Sequence, residues 1–155
     1  SCCFGSYSFT LGISLIFILS THSQTWPQQT TDKPIEYHYD TPGVDLSGVL
    51  LQRNVYGPPG YGETPLKDSR QKIYVLRLSK SISVEPAPNA EATGSASLDT
   101  AENVREIQLF VPQPQKSKIA GLVGRAIEVN GTLNESVTAS QYSKVCFEVA
   151  SLKAR

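Results

Sequence analysis

Four side chains stand out for what they could hold: Arg53, Tyr56, Tyr61 and Arg77. The tyrosines flank the run Gly57-Pro58-Pro59-Gly60. Aromatic rings so placed can stack on a sugar ring or a base, while the two arginines supply charge and forked donors. A plainer reading competes, in which Gly and Pro fix the turns and the tyrosines cover one end of the fold. Glu63 and Asp68 follow in the same stretch. Two carboxylates near a sugar are the minimum set for glycoside hydrolysis, but no third group in sequence reach would raise the pKa of one of them. Cys146 stands beside Lys144 and Glu148. A thiol next to a lysine can be activated, although a lone strand cysteine is more often a small hydrophobe under a loop. After His22 the chain has one histidine, His38, so any Ser-His-Asp or Cys-His mechanism would have to run through it. No residue is assigned a catalytic role, and no cofactor or metal is expected.

Composition narrows the classes further. The chain has 155 residues, and its 14 Lys and Arg balance 14 Asp and Glu. Nucleic acid and anionic membrane both favour clustered positive charge, so neither is an expected partner. With Cys2 and Cys3 ahead of the apolar segment, Cys146 is the one cysteine in the body of the chain. That excludes an internal disulfide framework and a Cys-rich zinc site there.

The segment Leu11-Gly12-Ile13-Ser14-Leu15-Ile16-Phe17-Ile18-Leu19 is apolar, and Ser20-Thr21-His22-Ser23 follows it before the polar Gln24. This is the pattern of a signal peptide over 1–23, with its apolar core and small-residue cleavage site. The run falls short of the roughly 20 apolar residues of a spanning helix, and an uncleaved anchor is the alternative. A Met and a basic stretch would ordinarily precede such a core, and they are expected ahead of Ser1. The expected location is periplasmic or secreted, with membrane contact only in transit. From 24 to 42 Gln, Thr, Pro and Asp dominate, which predicts a flexible arm.

The remainder, 43–155, must position the candidate residues, and its periodicity is that of strands. A first strand is predicted over Val44–Tyr56, with Val44 and Leu46 inward and then, after a bulge at Ser47-Gly48, Val49, Leu51 and Val55 inward. A second runs over Lys72–Leu78, extended by Ile82–Val84 after a kink. The stretch 86–103 reads as a mobile loop. A third strand, Val104–Val111, alternates Ile107, Leu109 and Val111 with Glu106, Gln108 and Phe110. One or two helical turns over Gln115–Ala120, stopped by Gly121, should then plug the core with Ile119 and Leu122. A fourth strand spans Arg125–Leu133, with Gly131 allowing a bend. The last spans Ser143–Leu152. Five strands of this length with single apolar faces need closure, and the order strand, strand, strand, short helix, strand, strand is that of an OB-like barrel.

Several of these stretches resemble bacterial exported proteins that carry the domain of unknown function 4431. The resemblance rests on Leu46-Ser47-Gly48-Val49-Leu50, on Tyr56-Gly57-Pro58-Pro59-Gly60-Tyr61-Gly62-Glu63 with Asp68, and on Ile73-Tyr74-Val75-Leu76-Arg77-Leu78. It continues through Val104-Arg105-Glu106-Ile107-Gln108-Leu109 and through 122–133. Where such domains often carry histidines before the last strand, this chain has Ser140-Gln141-Tyr142-Ser143. The resemblance implies export, a bacterial source and a fold, but no activity. The expected function is a non-enzymatic binding module for an envelope protein, a glycan or a small molecule. A structural or assembly role, or a small hydrolase, is the alternative.

Overall fold

A computed structural model of the chain describes residues 33–88, 90 and 99–155. The expected signal peptide, the first part of the expected arm and half of the 86–103 loop lie outside the described residues. Among the described residues, no helix is long and apolar enough to cross a membrane.

Six strands form one sheet: β1 (Ile35–His38), β2 (Val44–Tyr56), β3 (Arg70–Glu85), β4 (Ala101–Phe110), β5 (Ala126–Glu135) and β6 (Val145–Ala154). Strands β2 to β6 are the five read from the sequence, and they close on themselves. β2 pairs antiparallel with β3 and β5, β3 with β4, and β5 with β6, while β4 and β6 run parallel. Every one of the five thus has two neighbours. That circuit is a closed OB-like barrel, and it leaves none of the five with a bare edge.

Between β4 and β5 a 3-10 turn, Gln113–Gln115, leads into the helix α1, Lys116–Ala120. It is too short to be stable alone. Its place is secured by Ile119, fully buried in the barrel core, with Leu122 beside it. Both were expected as the plug.

Inward parity explains most of the core. Ile107 and Leu109 of β4, Ile127, Val129 and Leu133 of β5, and Val145, Phe147 and Val149 of β6 are all buried. The β5–β6 register shifts between Asn130 and Gly131. Ala150 is left over opposite that step, so the inward residue of β6 changes from Val149 to Leu152. Gly131 is required there, since a Cβ would lie 1.9 Å from the Glu148 carbonyl oxygen.

Two expectations are corrected. β2 carries no register shift in either ladder. Val44, Leu46 and Leu50 stay in one inward phase, and Val49 is 40 % exposed on the outside. Gly48 permits this without a bulge, because its missing Cβ lets the Arg77 carbonyl oxygen approach to where that atom would stand, 2.2 Å away. The second correction concerns the arm. Residues 35–38 form β1, parallel to Ile82–Glu85 of β3, and Tyr39 just after it is buried in the core. Backbone bonds from Tyr39 N–H to the Glu85 carbonyl and from Asp40 N–H to the Leu133 carbonyl, both 2.9 Å, hold this turn against the barrel.

Candidate ligand-binding groove

The outer face of β2, β3 and β4 carries a groove of about 440 Å³. Its floor is apolar, formed by Val55 of β2 and by Ile73 and Val75 of β3. These residues alternate with the core positions of their strands, so the two-residue period places them outside. Arg53, Glu102, Glu106 and Lys144 give it charge, and Tyr142 forms part of the wall.

Arg53 and Arg77 converge. Arg53 donates to both Glu106 carboxylate oxygens, at 2.7 and 2.8 Å, and Arg77 pairs with Glu106 at 3.1 Å. Arg77 and Glu106 are directly opposite in the β3–β4 ladder. Such exposed pairs contribute on the order of 0 to 1 kcal/mol, so their main effect is to fix the direction of the Arg53 fork. Only Arg53 of the four candidates lines the groove. The Tyr56 ring is occupied by Arg70, whose guanidinium carbon lies 3.8 Å from the ring centre and whose Nη2 donates to the Tyr56 hydroxyl at 2.8 Å. Tyr61 stands half-exposed in the loop after β2, with a positive φ of 49°.

The groove's wall is the loop between β5 and β6, which is fastened to the barrel by polar groups that the sequence did not reveal. The Gln108 side chain, 3 % exposed, accepts from the Tyr142 N–H at 2.7 Å and donates to the Ser140 carbonyl at 3.2 Å. The Gln108 backbone N–H donates to the Ser143 hydroxyl at 3.0 Å. The Tyr142 hydroxyl donates to the Tyr56 backbone carbonyl. Burial, and then the neighbouring Tyr61, push that hydroxyl above its ordinary pKa. The Tyr56 backbone carbonyl thus holds Tyr142, while the Tyr56 ring is taken up by Arg70 and lines no part of the groove.

None of the family models, curated proteins or solved structures compared with the chain matches it. The site is therefore read from its own geometry.

The other candidate groups fall elsewhere. Asp68 is buried and organises its own loop, accepting from the N–H groups of Gly60 at 2.8 Å, Gly62 at 2.7 Å and Thr64 at 3.2 Å, and from the Thr64 hydroxyl at 2.8 Å. Burial alone would raise its pKa, but these four bonds outweigh it and hold the carboxyl below the usual range. Glu63 is exposed and shares none of those bonds. Cys146 is covered by the β5–β6 loop, its Sγ 3.0 Å from the Ser136 hydroxyl, and burial pushes the thiol up despite that contact and one from Ser143. His38 Nδ1 lies 3.2 Å from the Pro86 carbonyl, at the β1–β3 pairing. Among the described residues, no group of three His, Cys, Asp or Glu is placed to hold a metal ion.

Proposed function

We propose that the chain is a bacterial envelope domain, periplasmic or secreted, that works as a non-enzymatic binding module. The observation that carries this reading is the groove itself. Arg53, Glu106 and Tyr142, from three separate elements, bound one cavity on the barrel face and beside the β5–β6 loop, where OB barrels take their ligands. Two bases, Arg53 and Lys144, face two acids, Glu102 and Glu106, over an apolar floor. This balance suits a glycan or another polar, weakly charged ligand, and it disfavours nucleic acid, which needs an excess of positive charge. Export is supported by the apolar run over 11–19 and the small residues after it. The envelope setting is carried over as the expectation drawn from the short stretches that resemble proteins with domain 4431.

An array of neutral and acidic oligosaccharides, probed with the chain and with Arg53→Ala and Tyr142→Ala, tests the proposal. Binding that both substitutions weaken about tenfold supports it. Binding that neither changes, or an empty array together with no ligand from envelope extract, overturns it.

The exposed edge of β1 favours a second reading, an assembly role. The sheet order ends at β1, so among the described residues no strand covers its other side, where Ile35 is 52 % exposed. A partner strand could add there. A molecular mass that stays monomeric across concentrations in size-exclusion chromatography, with no envelope protein captured, counts against it.

A further inference from the structure

β4 gains one residue on its partner strand where it enters the groove. Ile82 of β3 stands opposite Val104 and Val84 opposite Ala101, so two steps of β3 face three of β4. That count is a β-bulge, a device that re-aims side chains beside functional sites. Its effect is visible in the burial. Ala101 and Val104 both belong to the core, and the consecutive Glu102 and Asn103 are both exposed, where regular alternation would turn one of them inward. Asn103 absorbs the extra residue with a φ of 56°, a left-handed conformation that Asn tolerates better than most side chains and glycine better still. Both residues line the groove. Their polar groups are uncommitted. The Glu106 carboxylate is shared by Arg53 and Arg77, whereas among the described residues no cation pairs with Glu102 and no hydrogen bond takes up the Asn103 amide.

We propose that Glu102 and Asn103 form a subsite for a protonated amine, so that the groove selects an oligosaccharide carrying an amino sugar. The inference rests on the groove being the ligand site. An ammonium group offers three donors and no acceptor. The Glu102 carboxylate and the Asn103 amide oxygen supply acceptors from adjacent positions, and a bond between ionised partners is stronger than a neutral one. The Asn103 NH₂ is left for a sugar hydroxyl. An acetylated amine has lost the charge and two of the three donors, and a hydroxyl carries no charge. Lys144 does not oppose the amine. Its neighbour Ser143 accepts from the Gln108 N–H, which places it toward the other end of the groove. Gln108 lies roughly 20 Å along the strand from Glu102, well beyond the screening length of about 8 Å at physiological salt.

The test is calorimetric titration of the full chain, at constant ionic strength and at a mildly acidic pH that keeps the amine protonated. The probes are the β-linked tetramers of glucosamine, N-acetylglucosamine and glucose, which differ in one substituent. The glucosamine tetramer should bind about tenfold more tightly than the other two. Glu102→Gln should abolish that preference and leave the glucose tetramer unaffected, while Glu63→Gln, at an exposed acid outside the groove, should preserve it. Asn103→Gly should weaken the glucosamine tetramer without lowering the thermal midpoint, because glycine adopts a positive φ freely. A fall in both, or in neither, removes Asn103 from the subsite. Equal affinity for the three sugars, or a preference that survives Glu102→Gln, overturns the proposal; where Arg53→Ala and Tyr142→Ala still weaken all three together, the groove stands as the ligand site without an amine subsite. No binding of any tetramer also overturns it, and the wider oligosaccharide array then decides the groove.

Discussion

Gln108 and Tyr142 are joined across 34 positions of sequence by a 2.7 Å bond from the Tyr142 N–H to the Gln108 side-chain oxygen. Because the same side chain also donates to the Ser140 carbonyl, one buried amide ties the β5–β6 loop to β4 and shapes the groove wall. Gln108→Ala should leave the Tyr142 N–H and the Ser140 carbonyl without partners, at a cost of about 1 to 3 kcal/mol. Urea unfolding should show a lower midpoint with an unchanged slope, and hydrogen exchange should show faster exchange at Tyr142.

Asp68 should tie stability to acid pH. Its folded-state pKa lies below the ordinary 3.8. Its contribution is therefore complete above pH 3.8 and is lost as pH falls through the lower folded value. Asp68→Asn replaces one acceptor oxygen with an NH₂ that faces the N–H donors of Gly60, Gly62 or Thr64. The variant should be less stable at neutral pH and should lose less on acidification than the parent. Thermal midpoints measured from pH 2 to pH 6 check both; parallel curves for parent and variant would rule the linkage out.

The barrel was legible where side chains report their own face. The alternation in β4, β5 and β6 marks the core, and Ile119 and Leu122 stand out as apolar residues in an otherwise polar stretch. Gly48 defeats that method, since a position without a side chain shows no parity, and Val49 and Leu50 then fit either phase. β1 was hidden for another reason. It is short and half polar, and it is held by pairing with residues almost fifty positions away, which local composition does not encode. In the groove, Arg53 was visible as a charge. Gln108 and Tyr142 were not, because their roles exist only once β4 and the β5–β6 loop meet. Asp68 drew attention as an acid, whereas three of its four partners are backbone groups that carry no sequence signal.

Gly131 marks the step in the β5–β6 register. Alanine there would place its Cβ 1.9 Å from the Glu148 carbonyl oxygen and 2.8 Å from a Phe147 ring carbon. Backbone cannot yield as a flexible side chain does, so Gly131→Ala should cost at least about 2 kcal/mol. Denaturant melts should show this loss. Gly43→Ala is the control: a Cβ there meets nothing within 4 Å, so only its positive φ of 78° opposes the change, at a cost of about 1 kcal/mol.

Tyr39 sets the alkaline limit. Among the described residues it is the one tyrosine with a fully buried side chain, and burial, with smaller effects from Glu135 and Asp99, pushes its pKa from 10.0 to about 12. Raising a pKa means that folding favours the protonated phenol. The stabilisation is therefore complete below pH 10 and is lost as pH rises from 10 towards 12. In the parent chain ionisation should accompany unfolding, so the tyrosinate absorbance from this residue should rise with the loss of strand signal in circular dichroism. Tyr39→Phe has no proton to lose and fills almost the same volume. It should keep most of the neutral-pH stability and hold its fold further into alkaline solution than the parent. An equal alkaline midpoint for the two chains would show that other groups, and not Tyr39, govern unfolding there.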